Sequence, residues 1–424
     1  MAYVPVAFIL AGMAAYTVLA GADFGAGLWT LLAFGPDGQR IRDEARHAMG
    51  PVWEANHVWL IFVLVVCWTA YPVAFGSITS TLAAPLLIAA IGIIFRGASY
   101  ALRGVADTSR AAENVLGLSS VLTPFALGTA VGAIAVGRVP VGNAAGNLVT
   151  SWLAPAPVLI GALAVVFSGY LAAVFLAADC VRYGENSLAA GFRRRALLAG
   201  VLCGALALAG LLVMRGSGLN LTTGAALALV CVSGAAGLAT LALCLAGRFG
   251  LARLTAALAV AAVVVGWAAA QAPRFLPGMT VTQAAAGDTT LVALVIAVAC
   301  GLVILIPALA LLFTLFLRGR LDTPESHVPA ESPAAPVGEA ATPARPGRPG
   351  TSALGPDAAV HQSVTPGGAR DAAKRWGTAA VLGLVAGVGL LVFTDAPWMH
   401  ALGVAGLLLC AVSVFAVTAA PLDH

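Results

Sequence analysis

Long unbroken stretches of apolar residues, separated by short polar connections, run along most of this chain. Eleven of them fall at roughly 4–33, 53–76, 82–103, 117–137, 153–178, 196–214, 222–246, 254–272, 289–317, 377–394 and 400–420. Most reach about 20 residues, the length an α-helix needs to cross the hydrocarbon of a bilayer. Lipid offers no partner to backbone N–H and C=O groups, so only helices and closed barrels span it. The runs are continuous rather than alternating, which selects helices over a barrel. The pattern therefore predicts an all-α, polytopic membrane helix bundle, with the first and ninth runs long enough to tilt or to extend beyond the bilayer.

Composition agrees. Of 424 residues, 60% are hydrophobic and 9% are charged, against about 25% charged in a soluble domain. That excludes a soluble protein of this size. The net charge of +4 does not point to nucleic acid, because the basic residues sit in short loops rather than on one face. Their distribution sets the orientation. Nineteen of the 22 Lys and Arg residues lie in odd-numbered connections, and the even-numbered ones carry only Arg138, Arg215 and Arg274. By the positive-inside rule, the N-terminus lies outside and the odd connections face the cytoplasm.

One stretch breaks the pattern. Residues 318–375 are rich in Pro, Ala and Gly and show no apolar period. They cannot bury enough surface to offset their ordering entropy, so they read as a disordered cytoplasmic linker. The predicted organisation is a nine-span core at 1–317, the linker at 318–375, and a two-span appendix at 376–424. Gly383 and Gly387 form a GxxxG in the tenth span, a helix-packing pattern that a chain with 48 glycines also produces by chance. The N-terminus has no basic n-region, and its apolar run is too long for a cleavable signal. Seven cysteines lie inside or at the ends of apolar runs with no C-x-x-C. They predict small buried hydrophobes rather than a disulfide framework or a zinc site.

Polar groups inside the membrane carry the chemistry, because each costs free energy to place there. Asp23 lies in the first span, within the stretch GADFGAG at 21–27. Glu54 opens the second, within GPVWEANHVWL at 50–60, and Asp179 ends the fifth. Asp23 and Glu54 belong to consecutive antiparallel helices, in their cytoplasmic halves and a turn or two apart in depth. They could relay protons inward; alternatively each is neutral, or satisfied by Asn56, His57 or a backbone carbonyl. Glu54 and His57 share a helix face. His57 reads either as a haem or metal ligand or as a member of a polar cluster, and a lone histidine without a paired ligand favours the cluster. The other five histidines lie in loops, linker or termini, which leaves no paired set for a haem and no metal site. The glycines at 21–27 follow no strand and precede no GK[ST], so they suit close helix packing rather than phosphate binding. Arg96 and Arg103 lie seven apart on one face. Positive-inside anchoring accounts for them, with pairing to an acid or a lipid headgroup as the alternative. Trp53, Trp59, Trp68 and Tyr71 suit interfacial belts and helix packing.

These three motifs, 21–27, 50–60 and FRGASYALR at 95–103, resemble subunit II of the cytochrome bd-type quinol oxidases. They stand in the right order, at the right spacing and on the predicted cytoplasmic side. The resemblance extends over 1–317 in span pattern and rests at residue level mainly on 1–110. Many members of that family have Asp-Gly-Asn-Glu where this chain has Glu54, Ala55, Asn56 and His57. The form here resembles the cyanide-insensitive branch, keeping an acid at 54 and losing one at 57. The resemblance implies a complex in a bacterial cytoplasmic membrane that oxidises quinol and reduces oxygen to water. It implies haems b and d in a partner subunit I and none ligated by this chain. A structural quinone, lipid contacts, small accessory subunits and a cytoplasmic proton path through Asp23, Glu54 and His57 would go with it, with Asn56, Trp53, Trp59, Arg96 and Arg103 as structural or anchoring groups. It says nothing about 318–424. A secondary transporter, using Asp23 and Glu54 for a coupling ion, and a scaffold subunit without a proton role are the rival readings. The chain shows none of the inverted repeats that transporters favour.

Overall fold

The computed structural model describes residues 1–35, 37–49, 53–101, 110–216, 218–221 and 223–317, with isolated positions between 378 and 402. Apart from those isolated positions, the tenth and eleventh runs lie outside the described residues, as do the linker at 318–375 and the Gly383/Gly387 pair. Packing divides the chain into two units, Met1–Val295 with Ala369–His424, and Ile296–Gly368.

The first unit is built around α1 (Val4–Leu31). Pro5 occupies its first turn, where a missing N–H costs nothing. Every residue from Ala20 to Gly27 is buried. Six of those eight are Ala or Gly, and side chains this small let the neighbouring helices approach closely. α7 (Pro155–Arg182) approaches so closely that a Cβ at Gly25 would collide with the backbone carbonyl of Ser168. The Trp29 indole N–H locks the pair by donating to the Gly169 carbonyl at 2.8 Å.

The polar connection after α1 folds as α2 (Gly38–Met49), which the apolar pattern does not announce. Arg42 ties it back to the Ala33 carbonyl at 2.8 Å, and Arg40 reaches Glu185 at 2.5 Å. The run at 53–76 is not one helix. α3 (Trp53–Ala70) stops, and α4 (Pro72–Thr81) begins after a break at Tyr71. The Pro72 ring disfavours helical geometry at the residue before it, and Tyr71 sits at φ −137°, ψ 61°. α4 then meets α5 (Ala83–Ala101) at an 81° bend.

α6 (Arg110–Ala135) follows, then α7, α8 (Asn186–Val213), α9 (Gly224–Leu245) and α10 (Phe249–Gln271). α8 starts ten residues before its apolar run, because Arg193–Arg195 are good helix formers and polarity marks the membrane edge, not the helix end. Between α10 and the last span the chain forms a small hairpin, β1 (Arg274–Leu276) with β2 (Met279–Thr280), and one turn, α11 (Val281–Ala284). Thr280 and Gln283 close that turn with a capping box. α12 (Asp288–Leu317) completes the described elements. In the second unit, the described stretch 296–317 is helical and exposes Val303, Ile304 and Leu311.

Seven of the described helices are long and apolar enough to cross a membrane, and the bent α4–α5 pair makes eight; Asn56–Ala70 of α3 is apolar but shorter. Apart from the hairpin, the described fold is all-helical.

Candidate functional site

Asp23, on the small-residue face of α1, is fully buried, and so is Arg96 of α5. The two form a bidentate ion pair. Arg96 Nε donates to Asp23 Oδ2 at 3.0 Å, and Nη2 donates to Oδ1 and, at 2.8 Å, to the Asp23 backbone carbonyl. Its remaining nitrogen, Nη1, donates to Ser120 Oγ of α6 at 2.5 Å. One guanidinium thus ties three helices together. Gly27 is what lets it lie there, since a Cβ at that position would strike the Ser120 side chain. A charge in this setting is tolerated only when paired and hydrogen-bonded, and each partner supplies that for the other. Of the two alternatives open for Arg96, the structure takes pairing with an acid.

Phe24, one residue along, links this pair to a second group. The Arg96 guanidinium carbon lies 5.1 Å from its ring centroid, and the His57 ring lies 6.1 Å away on a tilt. Tyr16, two turns earlier on α1, meets both Phe24 at 6.5 Å and His57 at 6.1 Å edge-on. Beside them Asn56 is buried and donates Nδ2–H to the Leu19 carbonyl at 3.4 Å. Trp59 packs against this cluster, partly buried, and meets Phe62 edge-on at 6.4 Å.

The contacts of Asn56 with Leu19 and of His57 with Tyr16 fix the register of antiparallel α1 and α3. At 1.5 Å per residue, the turn of α3 that holds Glu54 stands about level with the turn of α1 that holds Asp23. The side chains of Trp53 and Glu54, and the whole of Arg103, lie outside the described residues. Asp23, Asn56, His57, Trp59 and Arg96 are therefore gathered around one section of α1. Sequence reasoning missed Tyr16 and Ser120, which look like ordinary span residues until the helices are placed.

Asp179 lies elsewhere. At the end of α7 it accepts from Arg253 Nη2 of α10 at 2.5 Å, and both side chains are partly exposed. An acid ending one span and a basic residue opening another on the same side was the available signal. Among the described residues no group of three or more His, Cys, Asp or Glu is placed to hold a metal ion. Six cysteines there are free thiols.

Residues 1–316 match the family model for cytochrome bd terminal oxidase subunit II. Two relatives from Bacillus subtilis (strain 168) align over a shorter stretch. The putative cytochrome bd menaquinol oxidase subunit II is 23% identical over 112 residues, and the cytochrome bd ubiquinol oxidase subunit 2 is 29% identical over 113. Each alignment covers 26% of this chain, and the chain spans about a third of each relative's length, 32% and 33%. Among solved structures, the bd oxidase from Geobacillus thermodenitrificans superposes with a TM-score of 0.59 at 22% identity, covering 74% of this chain and 98% of that one. At that identity the likeness concerns the fold.

Proposed function

Because the chain belongs to the cytochrome bd terminal oxidase subunit II family, we propose that it works as the second subunit of a membrane quinol oxidase that oxidises quinol and reduces oxygen to water. The match of the family model over 1–316 carries this reading. In it, haems b and d belong to the partner subunit I, and this chain holds no haem. Quinol, lipid and any small accessory subunits complete the assembly in a bacterial cytoplasmic membrane. The decisive experiment purifies the chain by a tag from its native membrane. A haem-bearing partner should come with it, and the pair should consume oxygen with quinol. Isolation of the chain alone, with no oxidase activity in the membrane it came from, would end the proposal.

The same reading takes nine spans with the N-terminus outside. α1, α3, α5–α10 and α12 fall on the nine apolar runs in turn, and the arginine count supports the orientation. A cysteine probe placed near Gly142 or Thr280 should react from outside, and one placed at Arg194 should not.

Protons for oxygen reduction must cross a dry interior through groups that exchange them. We assign that traffic to Glu54 and His57 on α3, and to Asp23 the part of counter-ion to Arg96. What supports the division is that both Asp23 oxygens accept from the guanidinium. An acid that gave up that role on each turnover would leave a buried cation unpaired.

A further inference from the structure

Where the end of α7 meets the α9–α10 turn, the chain forms a cavity of about 450 Å³, lined by Val181, Gly247, Arg248, Phe249, Leu251 and Arg253 among others. Its polar wall is basic and only partly used. Arg253 spends Nη2 on Asp179 and on the Phe175 carbonyl, both at 2.5 Å. Arg248 is exposed and has no ion pair among the described residues. The other wall is apolar. Val181 and Leu251 are exposed, and so are Leu245 of α9 and Leu254 of α10. An arginine that serves only to orient a span needs water around it; it needs neither a cavity nor an apolar wall.

We propose that this cavity is a binding site for an anionic phospholipid. The phosphate sits against Arg248, which is exposed, with Arg253 adding positive charge from the same wall, and the acyl chains lie along Leu251, Leu254 and Leu245. A zwitterionic headgroup carries its own cation next to the phosphate and competes with Arg248 for it, so the site favours a net negative lipid. Inorganic phosphate shares the headgroup chemistry but leaves the apolar wall bare. The assignment does not depend on the oxidase reading.

Native mass spectrometry of the delipidated protein, in the assembly in which it leaves the membrane, tests it by counting lipid bound on addition of phosphatidylglycerol or phosphatidylcholine. The wild type should bind one phosphatidylglycerol in preference to phosphatidylcholine. Arg248→Gln should weaken that binding about fivefold, the weight of one basic residue at an anionic leaflet, and leave phosphatidylcholine unchanged. Arg194→Gln, an exposed arginine of α8 outside the cavity, should behave as wild type. Equal phosphatidylglycerol binding by wild type and Arg248→Gln overturns the proposal. So does an equal loss in Arg194→Gln, which would reduce the effect to general surface charge. Inorganic phosphate bound in an Arg248-dependent way, with no preference between the two lipids, would make the ligand a free anion and also overturn the lipid assignment.

Discussion

Two groups of four helices treat polar groups in opposite ways. Around α1, α3, α5 and α6 a full ion pair is buried beyond solvent, with Ser120, Asn56 and His57 beside it. Among α7, α8, α9 and α10 the buried polar groups are neutral. Thr240 Oγ1 bonds to the Ala236 carbonyl and to Thr255 Oγ1, each at 2.8 Å, and Tyr170, Cys203 and Cys244 are buried in the same core. The ion pair there, Asp179–Arg253, stands at helix ends and stays partly exposed. Neutral hydroxyls that bond to their own helix cost little in lipid and do little chemistry. A buried charge pair costs several kcal/mol per ion to desolvate, so packing alone does not explain one. Under the proposed function, chemistry belongs to the first group and packing to the second.

Breaking the charged pair should have the largest effect. Arg96→Leu leaves Asp23 as a buried, uncompensated anion, and Asp23→Asn leaves the guanidinium without a counter-charge. Each should cost about 3–5 kcal/mol and deplete assembled complex, read as haem absorbance per membrane protein. Asp23→Asn with Arg96→Leu removes both charges and should recover much of the loss. That non-additivity marks a direct pair. Losses that simply add would mean the two residues act separately.

Next comes turnover. Glu54→Gln keeps shape and hydrogen bonding but cannot exchange a proton. It should lower oxygen consumption per haem by at least tenfold, modest beside the ~10²–10⁴ that positioned proton transfer contributes, with haem content unchanged. Glu54→Asp should be milder. Normal turnover in the amide variant would make Glu54 a structural group. Loss of haem together with activity would assign it to assembly.

How far the chain could be read in advance follows the same division. Continuous apolar runs located the long helices, because lipid enforces that length and composition. Asp23 and Arg96 stood out as charges in apolar surroundings, although the sequence could not join them: 73 residues and three other helices separate the partners. Ser120 and Tyr16 carried no signal, since a hydroxyl in a span reads as packing until its neighbours are known. The break at Tyr71 was written in Pro72 but hidden by apolar residues on both sides. α2 and the β1–β2 hairpin are held by local turns, caps and ion pairs, which a hydrophobic pattern does not register.

The glycines sharpen the comparison at a smaller scale. Gly25→Ala pushes a methyl into the Ser168 carbonyl, a backbone group that cannot step aside. Overpacking of this kind costs roughly 1–3 kcal/mol and should lower the temperature at which the purified complex loses its haem spectrum. A methyl added at Gly204 of α8 would meet nothing within 4 Å. Gly204→Ala should therefore leave that temperature unchanged or raise it slightly, through better helix propensity. Equal effects at the two sites would mean that the tight contact between α1 and α7 does not limit stability.

The smallest effect should come from the neutral core. Thr240→Val is close to isosteric. It removes the bond to Thr255, while the bond to the Ala236 carbonyl is one that a valine does not need, because that carbonyl already serves the helix. Hydrogen bonds between membrane helices average about 0.6 kcal/mol, so the stability change should be near that value. Oxygen consumption per haem should match the wild type, because no charge and no exchangeable proton is lost from the α1–α3 side. The comparison therefore requires a dissociation: a variant slightly less stable and fully active, against Glu54→Gln, stable and slow. A turnover defect in Thr240→Val at normal haem content would bring the α7–α10 core into the chemistry and undo the division between the two groups.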